Sequence, residues 1–266
     1  MIRTKSNIFG VALLSITLLI NTIGIQHAYS AVKKKNKGAQ TIQFNAKDGF
    51  HLSGELLMPT TASVKNKTPL VVFIHSLGES SDAWMDLPEE MSKALNVSVV
   101  SMDLRGHGKS IKDKKNKSKY WTYFKDKDYN DMTSDVSYLL DFLKTEYPEV
   151  NINKTAIVSA GFGSSVAVIS ASKDSKIKTL VLISPSNFSK GIDIRLPLIN
   201  YGVRPVLYIT SKKDLDTLKA IEELKKCSLG TKKVQQYPDG GQGTNLIKFQ
   251  PSSKKLIEDW VKSSLK

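Results

Sequence analysis

The stretch that decides the fold reads Ile157-Val158-Ser159-Ala160-Gly161-Phe162-Gly163-Ser164-Ser165. An apolar, β-branched run from Thr155 to Ser159 leads into it, and a helical pattern from Ser164 to Ala171 leaves it. Such a run suits a strand buried on both faces. Small residues at Ser159, Gly161 and Gly163 let the following helix turn back closely over the strand, because none brings a bulky side chain to the crossing. The stretch therefore predicts a strand, a sharp turn with Gly161 at its tip, and a helix.

The same alternation continues in both directions. Upstream, Leu70 to Ile74 is a continuous apolar run, Trp84, Leu87, Met91 and Leu95 recur at helical spacing, and Val97 to Met102 is a second buried run. Met132, Val136, Leu139, Leu140, Leu143 and Tyr147 mark one long amphipathic helix. Downstream come strands at Thr179 to Ser184 and Pro205 to Thr210, a helix from Leu215 to Cys227, and a strand at Val234 to Tyr237. A final helix carries Leu256, Ile257, Trp260, Val261 and Leu265. Ahead of all these, Thr41 to Phe44 and His51 to Met58 alternate apolar and polar residues about Asp48-Gly49, which reads as a hairpin. The expectation is an α/β fold in one domain, residues 41–266. It has a mostly parallel central sheet, an antiparallel N-terminal hairpin at one edge and helices on both faces.

Residues 1–30 read as a signal peptide. Arg3 and Lys5 precede an apolar run from Ile8 to Ile25, and Ala28-Tyr29-Ser30 supplies small residues for cleavage before Ala31. The expected destination is outside the cytoplasm, periplasmic or secreted; the alternative is an uncleaved N-terminal anchor. Residues 31–40, with Lys33-Lys34-Lys35, are expected to form a basic, disordered N-terminus. The lone Cys227 has no intramolecular partner for a disulfide and is expected to be a buried thiol, the alternative being an intermolecular link.

The formal net charge is +14, nearly all from lysine, since the only arginines are Arg3, Arg105, Arg195 and Arg204. Without arginine forks or clustered aromatic platforms, nucleic acid is not an expected partner. Weak attraction to anionic envelope surfaces is the partner reading that the charge supports. No His, Asp or Glu spacing suggests a metal site, and no cofactor is expected.

Four stretches, in order, carry a resemblance to a known family. They are His75-Ser76-Leu77-Gly78, Asp103-Leu104-Arg105-Gly106-His107-Gly108-Lys109-Ser110, the turn from Ser159 to Gly163, and Asp214 followed by Gln242. From about Thr41 to its end the chain resembles the α/β-hydrolases, in particular their lid-poor esterase and peptidase-like members. The resemblance implies a serine nucleophile at the tip of the strand–helix turn, activated by a histidine that a carboxylate orients. Here the nucleophile position holds Gly161, the acid position holds Asp214 and the base position holds Gln242. Gly161 takes the turn's unfavourable backbone angles without a Cβ, which relaxes strain of roughly 1–3 kcal/mol. An amide at Gln242 can donate to Asp214 but has no useful basicity.

The resemblance also implies an oxyanion pocket built from the backbone N–H groups of Leu77 and Phe162, with His75, at a loop that often reads His-Gly in the family, expected to shape that loop and kept as a further ligand-binding candidate. Ser159, Ser164 and Ser165 are expected to serve helix–strand packing, not the apex, and His107 to order its own loop. The segment from Asn187 to Gly202, too short for a lid domain, is expected to line the cleft, with Tyr201 and Leu196 as walls. The first functional expectation is a homologue without an intact catalytic residue that binds a small acyl-type ligand or a protein partner. The second is a working hydrolase of esters, thioesters or amides, rearranged around Asp214, Asp239, His75 and His107. The third is a basic envelope-associated scaffold.

Overall fold

The apolar runs assemble, in a computed structural model that describes residues 38–266, into an eight-stranded sheet. In chain order the elements are β1 (Gln40–Asn45), β2 (His51–Leu57), β3 (Thr68–Ile74), α1 (Leu87–Leu95), β4 (Ser98–Asp103), α2 (Asp126–Met132), α3 (Asp135–Glu146) and β5 (Val150–Ala160). There follow α4 (Gly163–Lys173), β6 (Ile177–Ile183), β7 (Phe188–Ser189), β8 (Ile192–Asp193), α5 (Arg195–Tyr201), β9 (Val206–Ser211), α6 (Leu215–Cys227), β10 (Lys232–Tyr237), α7 (Thr244–Phe249) and α8 (Ser252–Ser264). The sheet order is β1-β2-β4-β3-β5-β6-β9-β10, while β7 and β8 pair separately. β1 and β2 form the antiparallel hairpin, β2 runs antiparallel to β4, and every other neighbouring pair in the sheet is parallel. This is the α/β-hydrolase architecture, with helices on both faces.

Period-two alternation divides each central strand between two cores. In β3, Val72 and Ile74 join Leu139, Val166 and Ile221 on one face. Val71 and Phe73 join Trp84, Met91 and Ile257 on the other. Both faces being covered explains why these strands read as unbroken apolar runs.

The topology also locates the crevice. The chain leaves β3 for β4 on one side, then returns to place β5 on the other side of β3. Loops leaving two parallel neighbours in opposite directions open a gap at their carboxyl ends. The loop after β3 and the turn after β5 face each other across it.

Some elements differ from the sequence reading. The long helix expected from Met132 onward is two helices, with Thr133 and Ser134 between α2 and α3. The Thr133 hydroxyl donates to the Asn130 carbonyl, a local bond that competes with helix continuation. Strand β5 begins at Val150, before the apolar run, and shifts register between Thr155 and Ala156. The segment from Asn187 to Gly202, to which the sequence reading assigns no element, holds β7, β8 and α5. Cys227 closes α6 half-buried. The expected signal peptide, residues 1–30, and most of the expected disordered segment, residues 31–40, lie outside the described residues.

Candidate functional site

The turn after β5 has Gly161 at its tip, with φ +52°, a left-handed conformation that glycine adopts without a Cβ clash. A Cβ on Gly163, two residues on, would lie 2.5 Å from the His75 carbonyl oxygen and 2.6 Å from that of Ile74. Glycine is therefore what lets α4 start against the end of β3. Ser159, Ser164 and Ser165 are buried beneath the turn, and Ser159 donates to the Val181 carbonyl at 3.0 Å.

The loop after β3 is held from behind by the Asp103–Ser110 stretch. Asp103 accepts from the Ser81 amide at 2.7 Å and from the Lys109 amide at 2.8 Å. His107 Nε2 accepts from the Gly78 amide at 3.0 Å, and His75 Nε2 accepts from the Leu104 amide at 3.0 Å. Those N–H donors fix each tautomer, so His107 Nδ1–H donates to the Arg105 carbonyl and His75 Nδ1–H to the Ser76 carbonyl. Burial pushes both imidazoles down, that of His75 to about 4, so both are neutral. Arg105 grips the buried Asp135 with Nε and Nη2, and reaches Asp48 of the hairpin turn with Nη1 at 2.6 Å. The motif thus ties hairpin, α3 and oxyanion loop into one rigid support.

A cleft of about 610 Å³ opens between these loops, within the range of small-molecule sites. Its lining includes Ser76, Leu77, Glu79, Gly161, Phe162, Ser184, Asp214, Thr217, Gln242 and Gly243. The backbone N–H groups of Leu77 and Phe162 have no acceptor among the described residues, and Phe162 caps the N-terminus of α4. Two unengaged amide donors, one in the loop after β3 and one at a helix start, can take a carbonyl or anionic oxygen.

Asp214 and Gln242 meet in the same cleft. Gln242 Nε2 donates to Asp214 Oδ1 at 2.8 Å, and the same oxygen caps α6 by accepting from the Thr217 amide at 3.2 Å. Asp214 Oδ2 is buried without a protein partner. Gly243 is held by its amide on the Ser184 hydroxyl at 3.0 Å. Glu79 accepts from the Ser76 amide at 2.9 Å and from the Thr244 hydroxyl at 2.6 Å, joining the oxyanion loop to the segment after Gln242. Although the whole chain carries +14, the charged residues lining this cleft are Glu79, Asp214, Asp216 and Glu223 against Lys219, and Arg195 pairs with Glu223 at 3.5 Å from outside the lining.

Several expected residues lie elsewhere. His75, a ligand-binding candidate by sequence, is fully buried with both ring nitrogens bonded to backbone, so it shapes the loop and does not reach a ligand. Tyr201 is buried under Arg204, donating to the Pro205 carbonyl, and Leu196 is 65% exposed outside the cleft. Of their segment, Asn187 and Ser189 line the cleft. Asp239 pairs with Lys213 on the surface and does not line it. Two residues that motif reading left unassigned, Ser76 and Glu79, also line the cleft. The available signal was a serine in a His-Gly-type loop of a chain with glycine at the elbow tip.

A family model described as serine aminopeptidase, S33, matches residues 65–209, which include the oxyanion loop and the elbow but stop short of Asp214 and Gln242. No relative matches among curated proteins. Among solved structures, an esterase of Pyrococcus furiosus is 16% identical, with 86% of this chain and 91% of that chain covered and a TM-score of 0.68. A dienelactone hydrolase from Anabaena variabilis is likewise 16% identical over 86% of this chain and 100% of that chain, at a TM-score of 0.67. An acetyl xylan esterase from Paenibacillus sp. R4 is 15% identical over 88% and 87%, at 0.66. At these identities the structures share the fold, while the family match carries the assignment. The chain belongs to the serine aminopeptidase S33 family and has the α/β-hydrolase fold.

Proposed function

We propose that the protein is a non-catalytic member of this family that binds a neutral acyl compound, an ester, thioester or amide, in the cleft above Gly161 and does not turn it over. The observation that carries the reading is the hydrogen bond from Gln242 to Asp214. It occupies the place of the base–acid contact with a side chain that cannot take a proton from a nucleophile. Asp214 retains a purpose without catalysis, since it caps α6 and holds Gln242. The unengaged Leu77 and Phe162 amides supply donors for a carbonyl oxygen. The surrounding carboxylates disfavour a free carboxylate ligand, because like charges in a partly desolvated cleft repel.

The rearranged-hydrolase reading finds less support. His75 and His107 are neutral and committed to backbone, and Asp239 is engaged by Lys213. Export after cleavage before Ala31 remains part of the proposal, resting on the leader pattern of residues 1–30. Loose attraction of the lysine-rich surface to anionic envelope components is a subsidiary part of it.

Ligand-observed NMR with butyranilide and butyrate tests the binding claim. Butyranilide should show saturation transfer that the Asp214→Asn and Gln242→Ala variants weaken, and butyrate should show none. Equal binding of the two, or preference for butyrate, would overturn the neutral-acyl assignment.

A further inference from the structure

The Ser76 hydroxyl occupies the space that an elbow serine would need. A Cβ on Gly161 would lie 2.5 Å from Ser76 Oγ and 3.1 Å from Ser76 Cβ. The same Oγ would lie 2.6 Å from a Cβ on Gly243, the residue after Gln242. One hydroxyl is therefore wedged between the elbow tip and the loop that carries the base position. Both flanking residues are glycines in the left-handed region, with φ +52° and +59°. The loop does not use this hydroxyl for its own support: the Ser76 amide donates to Glu79, and the Ser76 carbonyl accepts from His75 and from the Glu79 amide. Ser76 precedes Leu77 and abuts Gly161, the residue before Phe162, so one unengaged amide lies next along each of the two loops.

We propose that Ser76 stands in for the elbow serine: its hydroxyl, presented from the oxyanion loop, is the group that meets the acyl carbon of a bound ester, thioester or amide. This rests on the cleft-binding reading above and deepens it. In the native chain the hydroxyl keeps its proton, because the neighbouring position 242 carries an amide. Placing an imidazole there supplies the missing base, already positioned for orientation by Asp214, which holds the present side chain at 2.8 Å. The site is one substitution short of a nucleophile–base–acid set, with the nucleophile on a different loop.

The test is the reaction of Gln242→His with an alkyl fluorophosphonate. Ser76 Oγ forms a P–O bond, fluoride leaves with the P–F electron pair, and the hydroxyl proton passes to the imidazole; nothing is oxidised or reduced. Labelling should rise about 100-fold or more over the native protein, in keeping with the gain from a positioned base. Mass spectrometry should map the adduct to Ser76, and Gln242→His/Ser76→Ala should lose it. As a second route, Gln242→Ala supplied with free imidazole should show the same Ser76 adduct in an imidazole-dependent manner. No increase in either experiment with the thermal transition preserved, or an adduct on another cleft hydroxyl such as Ser184, overturns the assignment. Failure of the cleft-binding reading is separately visible, as absence of saturation transfer to butyranilide from the native protein.

Discussion

Ser76 and Gly161 share one space, since a Cβ on Gly161 would lie 2.5 Å from the Ser76 hydroxyl oxygen. Restoring a serine at the elbow alone would therefore overpack the apex. Gly161→Ser is expected to cost about 1–3 kcal/mol of stability, to which the positive φ adds. Ser76→Gly should recover part of it in the double variant. A denaturant-unfolding cycle over the four proteins checks this, with an expected coupling of about 1–2 kcal/mol favouring the exchange. Additive costs would mean that the two positions do not compete.

Gly163 faces backbone and has no such flexible neighbour. A Cβ there would press on the His75 and Ile74 carbonyl oxygens at 2.5 and 2.6 Å, and neither can swing aside without moving the end of β3. Gly163→Ala should destabilise the protein by roughly 2–4 kcal/mol, the range of a serious core or backbone clash. Gly241→Ala, whose Cβ would meet only Asn245 Cβ at 3.7 Å, should cost no more than about 1–2 kcal/mol for its positive φ. Thermal denaturation of the two variants side by side distinguishes them.

Arg105 and Asp135 form a fully buried, two-pronged pair. Removing one partner leaves the other charge uncompensated, so Arg105→Ala should cost about 3–5 kcal/mol. Arg105→Met with Asp135→Leu should recover much of that, because an apolar pair leaves no buried charge stranded and Asp48, which also loses its partner, is partly exposed to water. Chemical denaturation of the single and double variants reads the difference directly.

The buried imidazoles make stability depend on pH. Burial lowers the folded-state value of His75 to about 4, against 6.5 for the unfolded chain. The unfolded chain therefore binds more protons between those values, and stability rises with pH there. Its contribution is complete above about pH 6.5 and is lost as pH falls toward 4. The full extent is about 3 kcal/mol, and His107, shifted in the same direction, adds to it. Unfolding followed from pH 7 to pH 4 should show this loss, with a shallower slope in His75→Asn.

Much of this architecture was legible because the sheet is buried on both faces. Val71 to Ile74 and Ile157 to Val158 had to read as unbroken apolar runs, and Leu215 to Cys227 showed its helix limits without tertiary help. The break after Met132 was not legible, because the apolar spacing runs on through Thr133 and Ser134 while a local side-chain bond ends the helix. Tyr201 and Leu196 were misplaced for a related reason: α5 turns one into the core and the other to solvent, and neither direction shows in a short segment. At the site, position along the chain revealed the residues at 161, 214 and 242. It did not reveal Ser76, whose role depends on three loops, after β3, β5 and β10, meeting around one oxygen atom.

The central claim is that the native cleft binds acyl compounds without turning them over, for want of a base at position 242. Incubating the native protein with p-nitrophenyl butyrate and, separately, with an alkyl fluorophosphonate tests this most directly. We expect no p-nitrophenol release above the buffer rate and no phosphonyl adduct on any serine. Enzyme-dependent release that the fluorophosphonate abolishes, with stoichiometric labelling of a cleft serine, would contradict it.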